Sequence, residues 1–259
     1  MSSLHEVFAK AKGENRAALI GYVPAGFPTK AGAVECIAAM VAGGVDIVEV
    51  GLPYSDPVMD GLTIQAAVEV ALAAGTKITD VMDTVNSVSE LGVPTLVMSY
   101  WAPIERFGYE KFTELLRASN GIGVITPDLT PEEASGWISA TDDHHLDRVF
   151  LAALSSTTER IGIVSSVTSG FVYAGAVMGV TGARDSLSDA VQTLVSRVRK
   201  ATDLPVAVGL GVSTPEQAHD VAQYADGVIV GSAFINAINS GGPQAAGNLA
   251  RELAQAMNR

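Results

Sequence analysis

Three carboxylates and three glycine-bearing segments hold the chemistry legible in this chain. Glu49 stands between two valines in the run Asp46-Ile47-Val48-Glu49-Val50-Gly51-Leu52-Pro53. An ionised carboxylate in so apolar a stretch is costly unless it is paired, solvated by a pocket or neutralised by a raised pKa. A raised pKa is what a general acid/base needs near neutral pH. A structural carboxylate bonded to a neighbouring strand fits the same position, and residue type leaves both roles open. Asp56 and Asp60 follow in Pro53-Tyr54-Ser55-Asp56-Pro57-Val58-Met59-Asp60-Gly61. Each suits a site, and each suits a turn, because Asp-Pro and Asp-Gly are common turn pairs.

The glycine segments are Gly179-Val180-Thr181-Gly182-Ala183, Gly209-Leu210-Gly211-Val212-Ser213 and Gly231-Ser232-Ala233. Glycine lets a backbone approach an oxyanion closely, and N–H groups at a helix start donate to it. Phosphate is the ligand such loops favour; relief of crowding in a tight loop is the alternative. His144-His145 and Asp142-Asp143 read as a solvated connection without metal-ligand spacing. No Ser-His-Asp or reactive-cysteine arrangement stands out, and no metal is expected.

These groups need elements to position them. Short apolar, β-branched runs recur at residues 18–24, 46–52, 95–100, 123–127, 148–154, 171–174, 206–209 and 228–231. Near-continuous apolar runs describe strands buried on both faces. Helical patterns lie between them, as at 31–42, 79–91, 109–118 and 187–201. Eight parallel strands with helical crossovers predict a (β/α)₈ TIM barrel, with an open doubly wound sheet as the alternative. Thr214-Pro215-Glu216-Gln217 and Thr130-Pro131-Glu132-Glu133 each predict a capped helix start. In a barrel the functional groups gather at the C-terminal ends of the strands, and phosphate sits after the late strands. Glu49, Asp60 and the glycine segments all fall at such ends.

The totals agree with this architecture. The 259 residues match one barrel of roughly 250 residues, and no linker or compositional break divides 1–259. The net charge of −12 without a basic run argues against nucleic acid or an anionic membrane as partner. The start, Met1-Ser2-Ser3-Leu4-His5-Glu6, lacks the pattern of a signal peptide. No run approaches the ~18 apolar residues of a membrane span. The single cysteine, Cys36, adds weak support for a reducing compartment, and the expectation is a cytoplasmic protein.

Taken together, the residues resemble the tryptophan synthase alpha family. Glu49-Val50-Gly51-Leu52-Pro53-Tyr54-Ser55-Asp56-Pro57, continuing to Asp60-Gly61 and Thr63-Ile64-Gln65, is similar to that family's long, fixed-spacing signature. Gly21-Tyr22-Val23-Pro24-Ala25-Gly26, Asp128-Leu129 with Glu132-Glu133, and the segments at Gly179 and Gly231 extend the likeness from the first strand to the last. The resemblance implies a retro-aldol lyase that splits indole-3-glycerol phosphate into indole and glyceraldehyde 3-phosphate. It implies Glu49 as general acid/base, Asp60 as the carboxylate on the indole N–H, and Tyr173 as a tyrosine lining the site. The phosphate would rest on backbone around Gly182, Gly211, Gly231 and Ser232, with Tyr22, Thr181 and Leu210 enclosing the substrate. No cofactor is implied for the barrel itself. The implied partner is a beta subunit carrying pyridoxal phosphate, in an α₂β₂ complex.

The chain departs from the family pattern at Ala102, where Asn is usual, at Leu210 for Phe, at Thr130 for Pro, and in a more apolar stretch over 174–178. These bear on coupling to the beta subunit rather than on Glu49 or Asp60. A free-standing lyase, an inactive barrel kept as an allosteric activator, and another phosphate-binding barrel enzyme are the alternative functions.

Overall fold

The apolar runs become parallel strands because both faces of each are covered. The computed structural model describes residues 3–175, 184–209 and 211–259, and the side chains of all of these except 184–188. The strands are β1 (Ala18–Pro24), β2 (Ile47–Gly51), β3 (Thr95–Met98), β4 (Gly123–Ile125), β5 (Asp147–Val149), β6 (Leu151–Ala153), β7 (Val172–Gly175), β8 (Val206–Gly209) and β9 (Gly227–Val230). All the ladders between neighbouring strands are parallel. Their order is β5-β4-β3-β2-β1-β9-β8-β7-β6. The two ends of that order are consecutive in the chain, separated by Phe150 alone, so the sheet curls into a barrel.

The fifth predicted strand is therefore two pieces. β5 pairs with β4, and β6 pairs with β7. Barrel closure staggers the hydrogen-bond register between neighbours, so this strand meets one neighbour early and the other late. The Phe150 carbonyl accepts from the Tyr173 N–H at 3.2 Å across the junction.

Strand alternation sorts the core into two shells. Ala18 and Ile20 of β1 point inward with Ile47, Leu96, Val149 and Ile229. Leu19, Val23, Val48, Val50 and Val97 point outward against the helices. The helices are α1 (Leu4–Gly13), α2 (Lys30–Gly43), α3 (Leu62–Ala73), α4 (Ile78–Ser89), α5 (Trp101–Phe107), α6 (Tyr109–Ala118), α7 (Ser135–Asp143), α8 (Thr158–Val167), α9 (Arg184–Val198), α10 (Pro215–Ala222) and α11 (Ser232–Ala256). The first, α1, is held by a capping box. Ser3 Oγ accepts from the Glu6 N–H at 3.2 Å, and the Ser3 N–H donates to Glu6 Oε2 at 2.7 Å. Its Leu4, Val7, Phe8 and Ala11 join the inner shell, with the Phe8 ring 5.7 Å from that of Phe171. That end of the barrel is filled by apolar packing. Polar groups from the strands are left to gather at the other end, the C-terminal mouth.

One predicted helix start holds and one does not. Thr214 caps α10 (Pro215–Ala222), its hydroxyl accepting from the Gln217 N–H at 3.3 Å. At Thr130 the hydroxyl instead donates to Glu133 Oε2 at 2.8 Å, and Pro131–Glu133 forms only a 3₁₀ turn. The α-helix there, α7 (Ser135–Asp143), begins two residues after that turn. The Glu133 side chain reaches the hydroxyl in place of the backbone N–H, so the reciprocal cap never forms.

Candidate active site

Glu49 is placed by register. It lies opposite Tyr22 of β1 and Leu96 of β3, and residues opposite one another share a face of the sheet. The face is the inner one, and Glu49 is 0% exposed. Neither carboxylate oxygen has a hydrogen-bond partner among the described residues. Burial without a partner disfavours the charged form and pushes the Glu49 pKa up to about 8. The structural role considered for Glu49, a bond to a neighbouring strand, is not what is observed.

Two tyrosines flank it, and each leans over a glycine. A Cβ on Gly51 would lie 2.4 Å from the Tyr22 hydroxyl oxygen, and one on Gly209 would lie 2.3 Å from that of Tyr173. Both glycines sit one strand over and two residues further along than the tyrosine's own partner. The missing side chains are what let the phenols cross the mouth. Burial raises the pKa of both phenols, and the Glu49 and Asp60 carboxylates raise it further, so both stay protonated donors. Gly209→Ala is expected to displace Tyr173 and cost about 1–3 kcal/mol, the usual cost of overpacking. In a Tyr173→Ala background the same change should cost close to nothing, a coupling that denaturant unfolding of the double-mutant cycle measures.

Asp60 comes from the connection between β2 and α3 (Leu62–Ala73), just before the N-cap residue Gly61. Gln65 Nε2 donates to the Asp60 carbonyl oxygen at 2.7 Å. The Asp60 side chain is half-buried. Burial raises its pKa, while a hydrogen bond with Tyr100 opposes the rise. Asp56, by contrast, is exposed and accepts from the Ser55 hydroxyl at 2.6 Å. Asp56 is thus a turn residue, whereas Asp60 faces the mouth.

The mouth is a cleft of about 370 Å³ that brings together Tyr22, Glu49, Asp60, Tyr173, Gly211, Gly231 and Ser232. Gly211 has φ +69°, a conformation that favours glycine. Ser232 is the first residue of α11 (Ser232–Ala256), which kinks at Gly241 and Gly242, so a short helix does start at the late strand end. Thr181, Gly182 and Leu210 lie outside the described residues. Met98, Leu151, Ile64 and Ile229 also line the cleft. They escaped the sequence reading because an inward-facing apolar residue at a strand end looks like any other core residue. A larger cavity of about 570 Å³, lined by Phe8, Arg16, Arg199 and Asp226, contains neither Glu49 nor Asp60. Two of its arginines are already paired, Arg16 with Asp46 and Arg199 with Asp226.

The model of one protein family, described as tryptophan synthase alpha chain, matches residues 8–259. The chain belongs to the tryptophan synthase alpha chain family. Its similarity to the alpha chain of Mycobacteroides abscessus is 52% identity, over 99% of this chain and 97% of that one. To the alpha chain of Acidothermus cellulolyticus it is 48%, over 100% and 98%. A tryptophan synthase structure from Mycobacterium tuberculosis superposes with a TM-score of 0.94 at 47% identity, covering 100% of both chains. The alpha subunit of Legionella pneumophila does so at 0.91 and 31%, covering 99% and 98%. The fold is the family's TIM barrel, and the open doubly wound sheet is set aside. So are the alternative functions, because the family match spans essentially the whole chain. As a member of this family the protein is a lyase of tryptophan biosynthesis that cleaves indole-3-glycerol phosphate.

Proposed function

We propose that Glu49 and Asp60 divide the work of this retro-aldol cleavage. The observation that carries the assignment is their different settings in one cleft: Glu49 fully buried and unpartnered, Asp60 half-buried beside a phenol. A pKa of about 8 leaves Glu49 protonated at neutral pH, ready to give its proton to the indole C3 carbon. The indolenine so formed is a cation at the ring nitrogen, and the Asp60 carboxylate accepts the N–H and stabilises that charge. Glu49, now ionised, takes the proton of the side-chain hydroxyl. The bond between C3 and the side chain breaks, and its electrons return to the ring. Indole and the aldehyde leave, and Glu49 is protonated again, so the net proton movement is from hydroxyl to carbon.

Tyr22 and Tyr173 enclose the reacting carbons. Gly211, Gly231 and Ser232 supply backbone around the phosphate, together with Thr181, Gly182 and Leu210 by family resemblance. The chain acts as one barrel domain in the cytoplasm, a placement supported by its biosynthetic family and its unpaired Cys36. No helix among the described residues is long and apolar enough to cross a membrane. It works with a tryptophan synthase beta subunit in an α₂β₂ assembly. Ala102 occupies the first turn of α5 (Trp101–Phe107), exposed on the wall of a groove shared with Pro53, Tyr54 and Ser55.

The test is to give the purified chain indole-3-glycerol phosphate, with and without beta subunit, and follow indole. Indole release is expected in both cases. Gly211→Val should raise KM by filling the phosphate approach, while binding of indole alone is unchanged. A phosphate found on lysine or arginine side chains elsewhere would refute the backbone site.

A further inference from the structure

We propose that Tyr100 is a positioning residue for Asp60, its hydroxyl pinning the 59–60 backbone to the end of β3 and setting where the carboxylate stands. The inference rests on the role given to Asp60 above. Tyr100 follows β3 and is the N-cap residue of α5. It is 5% exposed. Its ring lies 5.6 Å from that of Tyr54, which holds the phenol in place. The hydroxyl accepts from the Met59 N–H at 2.9 Å. A phenol that accepts still has its own proton to donate, and the neighbouring carboxylate able to take it is that of Asp60, whose titration the phenol lowers. One oxygen thereby joins the backbone of residue 59 to the side chain of residue 60.

The segment has little else to fix it. Its flanks Val58 and Leu62 are 82% and 83% exposed, so apolar packing does not hold them. Among the described residues the other side chain that hydrogen-bonds to residues 53–60 from outside the segment is Gln65, through the Asp60 carbonyl. That bond places backbone and leaves the carboxylate free to turn. The titratable groups facing the pair are Tyr22, Tyr173 and Glu49 across the cleft, with Tyr54 and Asp128 on the side of α5. None of these is a cation, and of the phenols it is Tyr100 whose hydrogen bond lowers the Asp60 pKa and favours the ionised form.

The experiment is Tyr100→Phe in the chain assembled with its beta subunit. We expect kcat for indole release to fall about tenfold, in line with loss of a hydrogen bond to a charged group. KM should change less than twofold. The acidic limb of the pH–rate profile should move to higher pH, because the charged carboxylate has lost its donor. Gln65→Leu should lower the rate and leave that limb in place. A rate loss in Tyr100→Phe that is equal at every pH, or no loss at all, would overturn the proposal.

A wild-type measurement guards against a variant that fails to fold. The Met59 amide lies in an irregular segment, and slow hydrogen exchange there supports the Tyr100 bond. Exchange at the free-peptide rate would sink it. Asp60→Asn separates the two readings. If Asp60→Asn turns over normally, the role of Asp60 and this inference fail together. If Asp60→Asn is inactive while Tyr100→Phe matches wild type, only the positioning role fails.

Discussion

Glu49→Gln is expected to leave the barrel folded and to lower the cleavage rate by about 10²–10⁴-fold, the usual contribution of a general acid/base. Glutamine keeps the shape and removes the titrating proton. Near-wild-type turnover in a folded variant would refute the assignment. The same substitution has a consequence for stability whose sign follows from burial. The folded-state pKa of Glu49 is raised from 4.5 to about 8, so the native state holds a proton that the unfolded state releases between those values. The group's contribution to stability is fully present below about pH 4.5 and is lost as pH rises through about 8. Wild type should therefore lose on the order of 5 kcal/mol relative to Glu49→Gln between pH 4.5 and pH 9. Urea unfolding of both proteins at the two pH values measures the difference. A gap between them that does not change with pH would mean that Glu49 is ionised in the folded protein.

Asp60→Asn should reduce kcat by about 10²–10³-fold, the range seen when one electrostatic stabiliser is removed from a site. The amide retains hydrogen-bonding shape but cannot offset the charge on the indolenine. Ground-state binding involves a neutral ring, so KM should move far less than kcat. The decisive comparison is steady-state kinetics with indole-3-glycerol phosphate. If KM rises and kcat is unchanged, Asp60 holds only the ground state. The Tyr100 hydroxyl keeps Asp60 usable despite its burial, since burial raises the pKa of this carboxylate and the hydrogen bond lowers it.

What the sequence determined by itself is the barrel, the place of Glu49 and the place of Gly211 and Gly231 at the late strand ends. The apolar runs are long enough to require cover on both faces, and their alternation with helical patterns requires parallel crossovers. A carboxylate inside such a run is conspicuous because its cost is local. The tertiary structure alone decided the rest, because the rest depends on register between strands far apart in sequence. When both faces of a strand are apolar, its pattern cannot show which face looks into the barrel. Nothing in the string from Gly51 to Gly209 announces that each of these glycines makes room for a tyrosine on the neighbouring strand, since the clash that forbids a side chain exists only after pairing. Asp56 and Asp60 are alike as turn residues, and it is the fold that separates them, through the path of the chain into α3, the Gln65 bond to the Asp60 carbonyl and the Tyr100 bond to Met59. The break at Phe150 follows from closing the ring, a demand of the whole sheet that no single segment carries.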